Sequence, residues 1–186
     1  MTRASTPLDP RAPLRLRGLA LRPTTAADCA FVVEVEEHPD NAPHVEHWSR
    51  EQHQASLDRP GTVHRIIEAR GTRIGFVLLE DADDPNASLL LRRIAVVTKG
   101  RGHGRTAVVL AARHCFDVLG FHRLWLNVAA ENRRAYHLYQ RLGFVEEGVA
   151  RESVKKNGKF VSMRVMSLLD REYQEHPAFG GSEEQT

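Results

Sequence analysis

The run Lys99-Gly100-Arg101-Gly102-His103-Gly104-Arg105-Thr106 follows the apolar stretch Leu89 to Val97 and opens a helical pattern that reaches Leu119, with Gly120 as its stop. A strand, a glycine turn and a helix in that order commit the chain to an α/β layering, because the helix must fold back over the strand that precedes it. The turn also reads as an anion site. Glycines let the backbone approach a phosphate with no Cβ in the way, and the free N–H groups at the start of a helix, with its dipole, favour negative charge.

At 186 residues and 41% hydrophobic content, the chain suits one domain with a real core. Residues 1–13 and 176–186 lack periodicity and are rich in Pro, Gly and polar side chains, so the folded unit is expected at 14–175, between disordered tails. Cys29 and Cys115 stand far apart with no second pair, which fits reduced core thiols rather than a disulfide framework or a zinc knuckle. No apolar run approaches a membrane span and the first residues lack a signal-peptide core, so a cytoplasmic location and no membrane partner are expected.

The net charge of +2 hides an uneven distribution. Between Asp28 and Asp58 there are eight acids against one base, Arg50, whereas Leu91 to Phe116 has no acid and carries Arg92, Arg93, Lys99, Arg101, Arg105 and Arg113. One part suits cations and another anions. The acidic part argues against nucleic acid as a direct partner.

Leu14 to Leu21 reads as a strand interrupted at Gly18, Thr24 or Thr25 caps a helix that Pro39 stops, and a second helix is expected from after Pro43 to Leu57. Val63 to Ala69 and Arg73 to Leu79 form a hairpin about Arg70-Gly71-Thr72. After the glycine turn, the helix from about Gly102 to Leu119 has a core stripe of Val108, Ala111, Cys115 and Val118. A strand at Arg123 to Val128 follows. Asn132 then caps a helix presenting Ala135, Leu138, Tyr139 and Leu142 on one face, and strands at Phe144 to Val149 and Lys159 to Leu168 complete the sheet. A single α/β domain is expected, its mixed sheet made partly parallel by the crossover helix.

A nucleotide-hydrolysing P-loop needs a Lys-Ser or Lys-Thr after its last glycine, but Arg105 follows Gly104. A dinucleotide fold needs its glycines in the first βαβ unit and an acid ending the next strand, whereas this turn lies past the midpoint and the next strand ends in Asn127-Val128. Both classes are excluded. The histidines His38, His44, His47 and His53 show no metal-ligand spacing such as HExxH, so no metal is expected.

Lys99-x-x-Gly102-x-Gly104, followed by Asn132-x-x-Ala135-x-x-Leu138-Tyr139-x-x-Leu142-Gly143-Phe144, resembles the GNAT superfamily of N-acetyltransferases over nearly the whole folded chain. It looks nearest to the branch with ribosomal-protein N-terminal and polyamine acetyltransferases. The resemblance implies a single domain whose sheet is mostly antiparallel, with a parallel, splayed central pair and flanking helices. It implies acetyl-CoA as cosubstrate, its pyrophosphate on the backbone of Arg101, Gly102, His103, Gly104 and Arg105. Lys99 stands where the family commonly has Arg or Gln, a change that backbone binding tolerates. Asn132 aligns with an asparagine at the pantetheine arm or phosphates, with Ala135 beside it, and Tyr139 with the general acid. A phenol with a pKa near ~10 can protonate a leaving thiolate at neutral pH. An N–H near Ile94, Ala95 and Val96 would stabilise the thioester oxygen where the parallel strands splay, at a bulge near Ala95.

The acceptor is less defined. Family members often carry a Glu in the strand before the turn, but Ser88 to Arg93 holds no acid, leaving Glu36, Glu37 and Glu80 as substitutes, with a solvated surface acid the ordinary identity of each. Trp48 either lines the acceptor pocket or is a half-buried core aromatic. The expected reaction is direct attack by a primary amine of a cationic, polyamine-like molecule on acetyl-CoA. The alternatives are N-terminal acetylation of a ribosomal or other protein, and a non-catalytic acyl-CoA-binding module. The resemblance also admits a homodimer.

Overall fold

The computed structural model describes residues 9–156 and 158–180. Its strands are β1 (Leu14–Leu16), β2 (Leu19–Pro23), β3 (Val63–Ala69), β4 (Thr72–Glu80), β5 (Ser88–Val96), β6 (Arg123–Ala129), β7 (Val145–Lys156) and β8 (Lys159–Leu169). Its helices are α1 (Cys29–Glu37), α2 (Arg50–Leu57), α3 (His103–Arg113), α4 (Arg133–Arg141) and α5 (Asp170–Glu175). Among the described residues the strands form one sheet in the order β1-β2-β3-β4-β5-β6-β8-β7. Only β5 and β6 run parallel, because α3 carries the chain across between them. No helix among the described residues is long and apolar enough to cross a membrane.

The sheet separates two cores. On one face α3 and α4 bury the larger cluster, which includes Leu79, Leu89, Leu91, Leu124, Leu126, Met166 and Leu168. On the other, Val32 and Val35 of α1 close over Ile66, Phe76, Leu78 and Ala95. The α3 stripe differs from a plain 3.6-residue pattern because the helix widens into a π turn over His114–Val118, where the Leu119 N–H reaches the His114 carbonyl at 3.0 Å. That rotation puts Phe116, at 7% exposure, into the core in place of Val118.

Two local expectations are corrected. The helix expected after Pro43 starts only at Arg50: Ser49 Oγ accepts from the Gln52 N–H at 3.2 Å while Gln52 Oε1 accepts from the Ser49 N–H at 2.7 Å. This reciprocal cap makes Ser49 the boundary and leaves residues 38–49 as a loop. The bulge expected near Ala95 lies at Arg92, which the register skips between the pairs Leu78–Arg93 and Leu79–Leu91. The strands instead approach closely at Gly75, the partner of Val96, where a Cβ would fall 2.1 Å from the Ala95 carbonyl oxygen.

The chain is also held beyond the expected ends of the domain. The buried Arg65 guanidinium donates to the carbonyls of Pro10 and Arg11, and Phe179, at 6% exposure, packs with its ring centroid 4.7 Å from that of Tyr173. The rest of the expected tails, residues 1–8 and 181–186, lies outside the described residues.

Because the Ala95 carbonyl is backbone and cannot rotate away, Gly75→Ala is expected to destabilise the fold by about 1–3 kcal/mol. Denaturant unfolding checks this; an unchanged midpoint would show that the strands separate freely at this point.

Candidate active site at the splayed strands

β5 and β6 share only the pairs Ser88–Arg123, Leu89–Leu124 and Leu90–Trp125. Beyond Leu90 the strands part, so the β5 edge carrying Ile94, Ala95 and Val96 has no β6 partner. The glycine turn follows at once. Gly100 (φ +83°) and Gly102 (φ +79°) take left-handed backbone, which disfavours any residue with a Cβ. The first helical bond of α3 runs from the Thr106 N–H to the Gly102 carbonyl at 3.1 Å, and Gly102 supplies no side-chain cap. The N–H groups of His103, Gly104 and Arg105 therefore lack an acceptor among the described residues.

A ligand phosphate fits this turn on two further counts. Nothing lies within 4 Å of where a Cβ would stand on Gly102 or Gly104, and the buried His103 Nδ1 has no hydrogen-bond partner. Arg101 is exposed beside them. Lys99 turns the other way, donating to Asn41 Oδ1.

On α4, Asn132 Oδ1 accepts from the Ala135 N–H at 3.1 Å and caps the helix. Tyr139 lies on the same face at 7% exposure, its ring centroid 5.6 Å from that of Phe144. Its hydroxyl makes no hydrogen bond among the described residues, and burial pushes the phenol up to about 12. It therefore stays protonated through neutral and alkaline pH.

The opposite wall is the α1–α2 loop, and here the structure departs from the expected solvated acids. Glu36 is fully buried. Its Oε2 accepts from the Trp48 N–H at 2.9 Å, and its Oε1 accepts from Arg93 Nη1 at 3.2 Å. His53 Nε2 lies 3.3 Å from the same Oε1, a contact not aligned as a hydrogen bond. The polar chain continues from His53 Nδ1 to His64 Nε2 at 3.3 Å and from His64 Nδ1 to Thr24 Oγ1 at 2.9 Å. Glu37, one residue on, is exposed with no ion-pair partner among the described residues. Glu80 sits 3.7 Å from Arg92 Nε and 3.8 Å from Arg59 Nη1.

Several residues that organise this wall were not anticipated. Asn41, at 3% exposure, donates to the carbonyls of Val35 at 2.8 Å and Val96 at 3.3 Å while accepting from Lys99, so it ties α1, the end of β5 and the glycine turn together. Lys156, near the tip of the β7–β8 hairpin, donates to the Val45 carbonyl at 3.0 Å. The bulge turns both Arg92 and Arg93 to the α1 face, where each bonds Glu46, at 3.2 and 3.0 Å. β5 faces the larger core with Leu89 and Leu91 and then with Ile94 and Val96, so its alternation changes parity at 92–93.

The acidic segment is accordingly less free than its composition implies. Asp28 is held by Arg22 at 2.8 Å and Arg73 at 3.1 Å, which keep its carboxyl well below the usual range. Glu36 and Glu46 are taken by the β5 arginines.

The acetyltransferase (GNAT) domain family matches residues 18–145. The spermidine N(1)-acetyltransferase of Vibrio cholerae is 39% identical over 109 residues, 58% of this chain and 63% of that protein, just under two thirds of its length. The Escherichia coli K12 spermidine N(1)-acetyltransferase is 26% identical over 164 residues, 82% of this chain and 87% of that one. The crystal structure of the V. cholerae enzyme in complex with CoA and spermine superposes with a TM-score of 0.77 at 26% identity, covering 85% of this chain and 99% of that one. The chain belongs to the GNAT acetyltransferase family. It is an N-acetyltransferase of the class whose acyl donor is acetyl-CoA.

Burial lowers His64 to about 3 and His114 to about 4, against ~6.5 for a histidine in the unfolded chain. Both are neutral in the fold. Their contribution to stability is complete above about pH 6.5 and is lost as pH falls from there toward the folded values, each adding at most about 1.4 kcal/mol per pH unit. Denaturation between pH 7.5 and 4.5 should show this slope, shallower in His64→Gln; a slope unchanged by that substitution would clear His64 of any part in it.

Proposed function

We propose that this chain moves the acetyl group of acetyl-CoA onto a primary amine of a cationic, polyamine-like small molecule by direct attack. The observation that carries the reading is a juxtaposition. The uncapped start of α3 and the unpaired edge of β5 lie at one end of the sheet, and Asn41 links both to the α1–α2 loop. Acetyl-CoA supplies the activated thioester. The N–H groups of His103, Gly104 and Arg105 would take its pyrophosphate, with Arg101 beside them. The β5 edge at Ile94, Ala95 and Val96 would offer an N–H to the negative charge that develops on the thioester oxygen. Asn132 and Ala135, at the start of α4, would border the pantetheine arm.

Tyr139 is the proton donor in this reading, since an unbonded phenol held protonated by burial can protonate the departing thiolate. Direct attack is favoured because Cys29 and Cys115 are both buried with their thiols pushed up, which leaves neither as a ready nucleophile. Of the acids named from the sequence, Glu37 alone is exposed and without an ion-pair partner among the described residues, so Glu37 or water receives the ammonium proton. The small-molecule reading is in keeping with the contact between the Lys156 side chain and the Val45 carbonyl, which ties the β7–β8 hairpin to the α1–α2 loop. The polyamine class draws on the two spermidine acetyltransferases.

The test is CoA release from acetyl-CoA over a panel of polyamines, other amines and basic N-terminal peptides. Release with polyamines and not peptides is expected; release with peptides alone would transfer the assignment to protein N-termini, and none with any acceptor would leave a binding module. Tyr139→Phe should lower kcat by about a hundredfold or more, with CoA affinity within about twofold. An unchanged kcat would remove Tyr139 from the chemistry.

A further inference from the structure

Glu36 has the acidity of a base candidate but not its situation. It is fully buried, with each oxygen already accepting a hydrogen bond, so it presents no surface to an incoming ammonium. What it touches is more informative. The Arg93 guanidinium that it holds lies 3.9 Å from the centroid of the Trp48 ring, over its face, and the backbone N–H that it accepts belongs to Trp48 itself. Glu36 thus fixes the same tryptophan twice, once by its main chain and once through Arg93.

Trp48 in turn lines a cavity of about 280 Å³ with Gln52, Ala55, Ser56 and Arg59. The cavity runs along one face of α2, since positions 52, 55 and 56 follow helical spacing, and Arg59 lies just past the helix end. Its aromatic wall and small side chains suit the apolar stem of an alkylammonium, and Arg59 is its charged lining residue. Glu80 contacts the lining residue Arg59, and Glu46 shares Arg93 with Trp48. Arg93 itself is buried with its Nε unpartnered, so its position depends on the two glutamates and the ring it covers. Its charge is desolvated and would be costly to leave without Glu36.

We infer that Glu36 is a positioning residue for the acceptor: through Arg93 and the Trp48 N–H it holds Trp48 as the wall against which the alkyl stem of the amine packs. The inference rests on the acetyl-transfer reading above and assigns the acceptor side of that same site. Glu36→Gln keeps an oxygen for the Trp48 N–H but loses the charge that holds Arg93. Trp48→Ala removes the wall directly.

The experiment is steady-state kinetics with the amine that gives the greatest CoA release, on the full chain, for Glu36→Gln, Trp48→Ala and the double variant. Glu36→Gln is expected to raise the amine KM roughly tenfold, with kcat and the acetyl-CoA KM within about twofold and the acidic limb of the pH profile unmoved. Trp48→Ala should do the same. The double variant should be no worse than Trp48→Ala alone, because both substitutions remove one interaction.

Loss of kcat together with the acidic limb in Glu36→Gln would make Glu36 the base and overturn the inference. Multiplicative effects in the double variant, or equal increases in both KM values, would overturn it too. If Glu36→Gln does not fold, Trp48→Ala decides: an amine KM unchanged from wild type refutes the wall, and a selective tenfold rise supports it. Wild-type protein that releases no CoA with any acceptor refutes the transfer reading itself. A wild type that is active while the variants behave otherwise than stated refutes this inference alone.

Discussion

The rest of the structure depends on the place where β5 and β6 stop pairing. Parallel strands joined by a crossover helix ordinarily continue side by side, yet here the ladder ends after Leu90 and Trp125. An unpaired strand edge inside a domain leaves polar main-chain groups that need partners. One of them, the Val96 carbonyl, is taken by Asn41. The others face the gap beside the uncapped start of α3, so a single interruption produces both an opening and main-chain groups to line it. β6 meanwhile stays anchored through its long antiparallel ladder to β8, which keeps the opening from being a general weakness of the sheet.

The division of charge acquires a different meaning in three dimensions. The acids from Asp28 to Asp58 and the arginines of β5 are distant in sequence, but the bulge at Arg92 turns two successive arginines toward one face, and there they meet Glu36 and Glu46. Two acids of the segment, Glu36 and Glu46, therefore act as scaffold, holding the α1–α2 loop to β5 beyond the turns it forms at His38 and Asn41. A loop so tied forms a stable wall, since each contact comes from a different element: Glu36 from α1, Arg93 from β5, Lys156 from β7 and Lys99 from the glycine turn.

Legibility from the sequence follows the range of the forces involved. The glycine turn, the Asn132 cap and the face carrying Tyr139 are local, set by backbone conformation and helical period, and they are found where the pattern puts them. The start of α2 was legible as well, in Ser49-x-x-Gln52, but Pro43 was the louder boundary and misplaced it. The position of the bulge was not legible in an alternation, since Leu89 to Leu91 and Ile94 to Val97 are continuous apolar runs. Nothing local marked Asn41, His64 or the burial of Glu36, because each owes its state to partners elsewhere in the chain.

The sequence by itself determined the class of the protein and its donor side: a glycine turn between strand and helix, then a capped helix bearing a tyrosine, are short-range patterns that the backbone must obey wherever they occur. Only the tertiary structure decided which charges are free. Burial and pairing depend on what the folded sheet brings within a few ångströms, so Glu36, which looks in sequence like its neighbour Glu37, lies locked beneath Trp48 while Glu37 stands in solvent.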